Sequence, residues 1–361
     1  MPLVGFDAQA LQGRYSGLGV FTKNLLDTLR QEIREPLTLR IYADEVSRDR
    51  NISTLSRLWW ENQVLPGRVR RDKVDILHVP AFAPAFLKPC PLVVTVHDIA
   101  GKLFPNQIGR ASAFYWGKWL PWTIRNADRI VADSEHTKKD LIEHLGIDGK
   151  KVRVVYPSGH EAFSRGFSPE KLEEIKRKVG IRGRYFLFVG TLEPRKNLGR
   201  ILNAFGSFKK SKSDLQLVLA GSKEFAYGKY AEMLAKEHSL ESGSVLATGF
   251  LEHEDLNALY CGAIALLFPS LYEGFGIPVL EAMASGCPVL TADRTSTPEV
   301  AGNAAILVDP YSVDAIAGGM KELTEKSSLR TELQRKGFEQ IKKFSWKKAA
   351  LEVIEVYKEL L

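Results

Sequence analysis

Short apolar runs bounded by polar turn residues recur along the chain. Between them lie longer stretches whose apolar residues are spaced for a helix. In the first half the runs are residues 3–7, LTLRIY (37–42), VDILHV (74–79), PLVVTVH (91–97), DRIVADS (128–134) and KVRVVYP (151–157). In the second half they are YFLFVG (185–190), LQLVLAG (215–221), SVLATG (244–249), AIALLFP (263–269), CPVLTAD (287–293) and AAILVD (304–309). Runs this short and rich in Val, Ile and Leu predict strands buried on both faces of a parallel sheet. The stretches between them, such as LEEIKRKVG and YAEMLAKEHSL, predict helices. The alternation predicts an α/β, doubly wound architecture, built twice with about six strands each time. Pro157, Ser158, Gly159, Gly166, Ser168, Pro169 and Gly183 gather around one charged helix and mark the expected boundary. We expect an N-terminal Rossmann-like domain over residues 1–165 and a C-terminal one over 166–343, with SWKKAALEVIEVYKELL as a last amphipathic helix. Two such domains leave a cleft at the carboxyl ends of their strands, where ligands of these sheets bind.

A length of 361 residues agrees with two domains. Hydrophobic residues at 45% and charged residues at 26% exclude a collagen, a low-complexity chain and a disulfide-stapled miniprotein. The apolar stretch 263–269 is far shorter than the roughly 20 residues of a membrane span. The opening MPLVGFDAQA has no basic n-region, so no signal peptide is expected. Cys90, Cys261 and Cys287 are odd in number and widely spaced, which suits reduced thiols in a cytoplasmic protein. The net charge of +7 favours an anionic partner: a diphosphate, a lipid surface or nucleic acid. Solvated surface Lys and Arg account for most of it, and no dense basic run or zinc-finger spacing points to nucleic acid.

The most informative stretch is FPSLYEGFGIPVLEAMASGCPVLTAD (268–293). A buried strand ends at Pro269, a loop with Gly274 and Gly276 follows, and Pro278 suits a first helical turn. Glu273 falls in the loop and Glu281 about one turn into the helix. Both carboxylates can face the cleft, beside glycine amides and a helix N-terminus that favours a phosphate. Two solvated carboxylates on an ordinary turn would need none of this context. In VGTLEPRKNL (189–198), Arg195 and Lys196 come just before a helix, where the macrodipole disfavours cations unless an anion is held there. Two solvated basic residues are the competing explanation. Gly17 and Gly19 in RYSGLGVF suggest a tight loop ahead of a helix beginning near Phe21, but Thr22 breaks a dinucleotide fingerprint. His97 and Asp98 end a strand and enter a loop; a lone histidine there is more often structural.

EGFGIPVLEAMASGCPV resembles the signature of glycosyltransferase family 4, the retaining transferases of GT-B fold, with its two glutamates at Glu273 and Glu281. RYSGLGVFTKNLL, VTVHDIAGKLFPN, ADSEHTKKDL, VGTLEPRKNL and TGFLEHEDLNALY resemble family segments in the same order, so the likeness spans nearly the whole chain. In detail it is most similar to the mannosyltransferases of bacterial O-antigens and exopolysaccharides. The resemblance implies a nucleotide-sugar donor, best matched by GDP-mannose, and a glycan or polyprenyl-diphosphate-linked acceptor. It implies His97, Glu273, Lys196 and Arg195 as the catalytic set. Gly17, Gly19, Asp98, Phe250, Gly274, Phe275, Gly276, Ile277, Val279 and Glu281 are implied to bind the donor. Many members carry Arg where Thr191 follows Gly190, so Arg195 is the candidate for the second charge on the diphosphate. The family fold implies that residues 344–361 cross back onto the first domain.

No D-x-D pair, H-E-x-x-H pair or Walker loop is present, so no metal or other cofactor is expected. Glu252, His253, Glu254 and Asp255 are adjacent, and adjacent helical residues do not face one site. Five of the six tryptophans (Trp59, Trp60, Trp116, Trp119 and Trp122) lie in the first half. If 110–125 is one helix, Tyr115, Trp119 and Trp122 share a face, unless Pro121 bends or ends it. Core packing is the ordinary reading of such a stripe. With Arg110, Lys118 and Arg125 beside it, the alternative is an acceptor wall or a contact with the inner membrane face, through Trp116, Lys118, Trp119 and Arg125. Three other readings remain: a catalytically silent sugar- or lipid-binding relative, a sugar-nucleotide epimerase of the same fold, and a nicotinamide-dependent oxidoreductase.

Overall fold

A computed structural model of the chain describes residues 1–11, 17–43, 58–81, 88–105, 114–159, 161–164, 166–209, 214–221, 233, 236–237, 240 and 243–361. The chain divides into two compact units, Met1–Pro157 with Phe344–Leu361, and Ser158–Lys343. The division follows Pro157, rather than falling at 165/166.

The first unit holds a parallel sheet of β1 (Leu3–Asp7), β2 (Thr38–Tyr42), β3 (Ile76–Val79), β4 (Leu92–Val96), β5 (Arg129–Ala132) and β6 (Val152–Val154), in the order β2-β1-β3-β4-β5-β6. Its winding reverses between β1 and β3. Alternate residues feed opposite faces. On β4, Leu92, Val94 and Val96 enter one core with Ile130, Ala132 and Trp60, while Val93 enters the other with Val4, Phe6 and Leu25. The helix Gly17–Glu32 and the last helix, Trp346–Lys358, cover that second face together. The last helix starts on a Ser345 cap that accepts from the Lys348 N–H, and it buries Trp346, Ala350, Val353 and Tyr357. Tyr357 is also fixed by polar contact: its hydroxyl lies 2.6 Å from Nδ1 of buried His78, whose Nε2 is 2.9 Å from the Thr95 hydroxyl.

Two expectations for this unit need correction. The helix over Gly17–Glu32 begins at Gly17, not near Phe21, so Gly17 and Gly19 form its first turn. Buried Gly19 extends the stripe of Phe21, Leu25, Leu26 and Leu29, and first-turn N–H groups need no intrahelical partner. Residues 14–16 of the same motif lie outside the described residues. Pro121 does not end its helix. The turn before it, Tyr115–Trp119, widens to a π-helix whose ladder closes with Leu120 N–H to the Tyr115 carbonyl, and an α-helix continues over Leu120–Arg125. Trp60–Val64 does the same ahead of Pro66. A proline has no N–H to give and crowds the carbonyl four residues back, and one wide turn accommodates both.

The second unit holds a parallel sheet of β7 (Arg184–Gly190), β8 (Leu215–Gly221), β9 (Val245–Gly249), β10 (Leu266–Phe268), β11 (Val289–Ala292) and β12 (Ile306–Val308), in the order β12-β11-β10-β7-β8-β9. Each strand coincides with an apolar run read from the sequence, β7 starting one residue before its run. The winding reverses between β7 and β10, and ligands of doubly wound sheets bind at such a switch point.

Candidate active site

The switch point of the second sheet is occupied by charge. After β7 the chain makes one 3-10 turn, Pro194–Lys196, and then a left-handed residue, Asn197, with φ 64°. Asn tolerates that conformation better than most residues. Its buried amide donates to the carbonyls of Pro269, at 2.9 Å, and Pro310, at 2.7 Å, tying the turn to the loops after β10 and β12. The Leu271 N–H donates to the Arg195 carbonyl at 2.8 Å. Arg195 and Lys196 are thereby set against the loop that carries Glu273.

Glu273 is 5% exposed. Its carboxylate accepts from Lys196 Nζ at 2.7 and 2.9 Å and from Arg195 Nη1 at 3.2 Å. Arg195 Nε donates to Glu193 at 2.6 Å, and the Thr191 hydroxyl donates to the other oxygen of Glu193 at 2.8 Å. Burial works against the Glu193 charge, but Arg195, Thr191 and Lys196 together hold its carboxyl below the usual range. Lys196 Nζ also stands 5.2 Å over the Phe268 ring. The anion that the basic pair called for is thus supplied by the chain itself.

The loop after Glu273 is closed rather than open. Gly274, Phe275 and Gly276 are all buried, and the Ser296 hydroxyl lies 2.9 and 2.8 Å from the carbonyls of Glu273 and Phe275. Gly276, at φ 108°, takes a backbone conformation open to glycine and starts the helix Ile277–Ala284. Ile277 is half-buried, whereas Val279 is wholly in the core. Glu281 stands apart from the Glu273 cluster. It accepts from the Tyr260 hydroxyl at 3.1 Å, and burial pushes its carboxyl up to about 7, with the Tyr260 bond pulling the other way. Phe250 follows β9 and is exposed.

His97 lies in the first unit, just beyond β4. Its Nδ1 is 2.6 Å from Asp133 and its Nε2 2.8 Å from the Pro80 carbonyl. A carbonyl only accepts, so Nε2 carries a proton; the carboxylate accepts the other from Nδ1. Burial pulls the imidazole down, but the Asp133 charge and hydrogen bond, with the Pro80 carbonyl, outweigh it and leave His97 above its ordinary value. Phe21 packs edge-on at 4.5 Å, linking the first turns of Gly17–Glu32 to the ring. Both His97 ring nitrogens are engaged in these hydrogen bonds. Its backbone carbonyl accepts from the Thr137 hydroxyl at 3.1 Å. Asp98 accepts from the Ala100 N–H at 2.9 Å, at the first residue of the short helix Ala100–Leu103.

Sequence reasoning overlooked Asp133, Tyr260, Glu193 and Ser296. Asp133 had a signal: β5 pairs in register with β4, Val96 beside Ala132, so the next residues, His97 and Asp133, emerge side by side.

The aromatic stretch divides. Tyr115 is buried, and Trp116 and Trp119 pack half-buried on the core; Trp116 lies so close to Gly101 that a Cβ there would meet the indole. Phe114, Trp122 and Lys118 are exposed. Arg125 is exposed but spends its Nε–H on the Leu145 carbonyl, 2.9 Å away. Tyr115 and Trp122 therefore do not share a face, because the wide turn intervenes. Arg110 lies outside the described residues.

Among the described residues no three His, Cys, Asp or Glu side chains gather as a metal cluster, and no helix is long and apolar enough to cross a membrane.

Two doubly wound domains with this charge at the switch point have the GT-B fold of glycosyltransferases. A glycosyltransferase from Rickettsia africae superposes with a TM-score of 0.76 at 17% identity, covering 99% of this chain and 98% of that one. HepE from Anabaena, solved with UDP-glucose, superposes with a TM-score of 0.70 at 17% identity, covering 99% of each. Residues 9–158 match the model for Glycosyltransferase Family 4, and residues 172–340 that for Glycosyl transferases group 1. The O-antigen chain mannosyltransferase B of Escherichia coli is 30% identical over 297 residues, 80% of this chain and 75% of that protein. The chain belongs to glycosyltransferase family 4 and is a glycosyltransferase.

Proposed function

We propose that the chain is a retaining mannosyltransferase. It moves mannose from GDP-mannose to a glycan, or a polyprenyl-diphosphate-linked glycan, in cell-surface polysaccharide synthesis. The observation that carries this reading is the pairing of Lys196 and Arg195 with Glu273 at the switch point of the second sheet. The likeness to an O-antigen mannosyltransferase supports the choice of sugar.

In this reading Lys196 and Arg195 neutralise the donor diphosphate as the bond from its oxygen to the anomeric carbon breaks. A new bond to the acceptor oxygen forms on the same face, and the acceptor proton passes to the departing phosphate oxygen. That route agrees with a His97 ring whose two nitrogens are already engaged. Charge-assisted donors fixed before the reaction are a large part of such catalysis. Glu281, oriented by Tyr260, receives the ribose hydroxyls, and Glu273 receives those of the hexose. Lysine and arginine take the place of a divalent metal. The first unit takes the acceptor, and exposed Phe114, Trp122 and Lys118 suit the headgroup region of an anionic membrane at its inner face.

The test is turnover of GDP-mannose against UDP-glucose and UDP-galactose by the purified chain, with and without EDTA, and NMR of the product linkage. GDP release that needs an acceptor, persists in EDTA and yields an α-mannoside supports the reading. A β-mannoside, or a strict need for Mg²⁺ or Mn²⁺, refutes it. Turnover of a UDP-sugar alone moves the donor assignment.

A further inference from the structure

Among the described residues, the charges at the switch point pair with one another. Lys196 and Arg195 carry two positive charges, and Glu273 and Glu193 carry two negative ones within hydrogen-bond reach. Lys196 gives N–H bonds to both oxygens of the one carboxylate, at 2.7 and 2.9 Å. Lys196, Arg195 and Glu273 are all largely buried, so solvent screens little of the attraction. Cations already paired with carboxylates are poor receptors for a diphosphate. An arriving phosphate meets its cations already neutralised and lies against a buried carboxylate of its own sign.

We infer that Glu273 is the internal counter-ion of the donor site, exchanged for the diphosphate of the donor, so that its carboxylate reaches hexose hydroxyls only once a diphosphate is bound. The inference rests on the donor-site reading above and adds to it a rule for specificity. The exchange needs no backbone movement. The Glu273 carbonyl is held by the Ser296 hydroxyl, the Arg195 carbonyl by the Leu271 N–H, and the Lys196–Asn197 turn by the Asn197 amide. What moves is the Glu273 side chain, about its own torsions. The phosphate of the donor and the carboxylate of Glu273 compete for one pair of cations. A free hexose, or a hexose on a nucleoside monophosphate, cannot win that competition and so finds its hydroxyl acceptor engaged. Sugar recognition becomes conditional on a diphosphate.

The experiment is calorimetry on the full chain with GDP and UDP as probes, and GMP and UMP as controls. If Glu273 occupies the cations most of the time, diphosphate affinity is lowered by the fraction of protein in which they are free. Glu273→Gln then binds the diphosphate roughly three- to tenfold tighter than the parent, with the monophosphate unchanged. In the parent, mannose affinity rises at least roughly fivefold in saturating diphosphate and not in monophosphate, and by linkage mannose raises diphosphate affinity by the same factor. Equal or weaker diphosphate binding by a folded Glu273→Gln variant overturns the exchange. It would show the carboxylate holding the two cations in place for the phosphate. Should that variant not fold, the mannose measurement on the parent decides alone, and absence of synergy overturns the proposal. Lys196→Ala separates the two levels. If the parent binds GDP or UDP and this variant does not, the donor site stands even when the exchange fails. If the parent binds neither nucleotide, the donor-site reading falls and the exchange falls with it.

Discussion

Glu281→Gln is expected to move stability and ligand binding in opposite directions. Glu281 accepts from a fully buried Tyr260, and burial pushes its carboxyl from 4.5 up to about 7. The rise from 4.5 to about 7 bounds the cost of ionising it in the fold at roughly 3 kcal/mol. The residue keeps partial access to solvent, which reduces that to about 1–2 kcal/mol. The folded value lies above the unfolded one, so the folded chain holds this proton more tightly. The parent therefore has its full stability below about pH 4.5 and loses this part as pH rises through about 7. Glutamine still accepts from Tyr260 but has no charge to desolvate. Its advantage is absent near pH 4.5 and complete near pH 8.5, where Tm should rise by about 2–8 °C. Nucleoside diphosphate affinity should fall about tenfold, because a charge-assisted acceptor for the ribose hydroxyls is lost. Thermal melts at about pH 5, 7 and 8.5, with calorimetry on the same samples, measure both effects. A Tm shift that does not change with pH, or a loss of stability at about pH 8.5, would falsify the assignment of a strained, buried carboxylate.

Three further perturbations separate the remaining parts. Lys196→Ala should lower kcat by about 10²-fold or more, as loss of one fixed donor to a developing charge does, with Lys196→Arg recovering part of it in steady-state assays. Asp133→Asn removes the charge that holds His97 above its ordinary value. That stabilisation is present below about pH 6.5 and is lost as pH rises through the folded value, so denaturant melts should show the variant weakest at acidic pH, and the imidazole resonances should titrate lower. Tyr357→Phe leaves Nδ1 of His78 unpaired in the core and should cost about 1–3 kcal/mol in urea unfolding. Burial already holds His78 down at about 3, so it contributes stability above about pH 6.5 that fades as pH falls through this range, and acid sensitivity should persist in the variant.

The strands were legible because a parallel strand buried on both faces is written as a continuous apolar run, and that signal does not depend on tertiary context. The start of the helix Gly17–Glu32 was not, because two glycines in a first turn look locally like a loop. The site lies between these cases. Lys196 and Glu273 are each recognisable as charged residues in loops at strand ends. Their pairing spans 77 residues and exists only because β7 and β10 are neighbours in the sheet. Periodicity reports that a segment is a strand, not which strand lies beside it. The basic pair before a helix suggested an anion nearby; strand order decided that the Glu273 side chain lies against it.

The same reasoning bears on how His97 should be read. A histidine at a strand end invites a role as base, since its ordinary value lies near neutral pH. Here three strand ends converge on the ring: Pro80 after β3, His97 after β4 and Asp133 after β5. A carbonyl on one nitrogen and a carboxylate on the other engage both nitrogens of the ring. What it supplies is rigidity. It clamps the ends of adjacent strands together beneath Phe21, and so fixes the loop that begins at Asp98. In the proposed reaction His97 is therefore a positioning residue and not the base. In that reaction the acceptor proton leaves with the diphosphate, and Lys196 and Arg195 supply the cations that stabilise it.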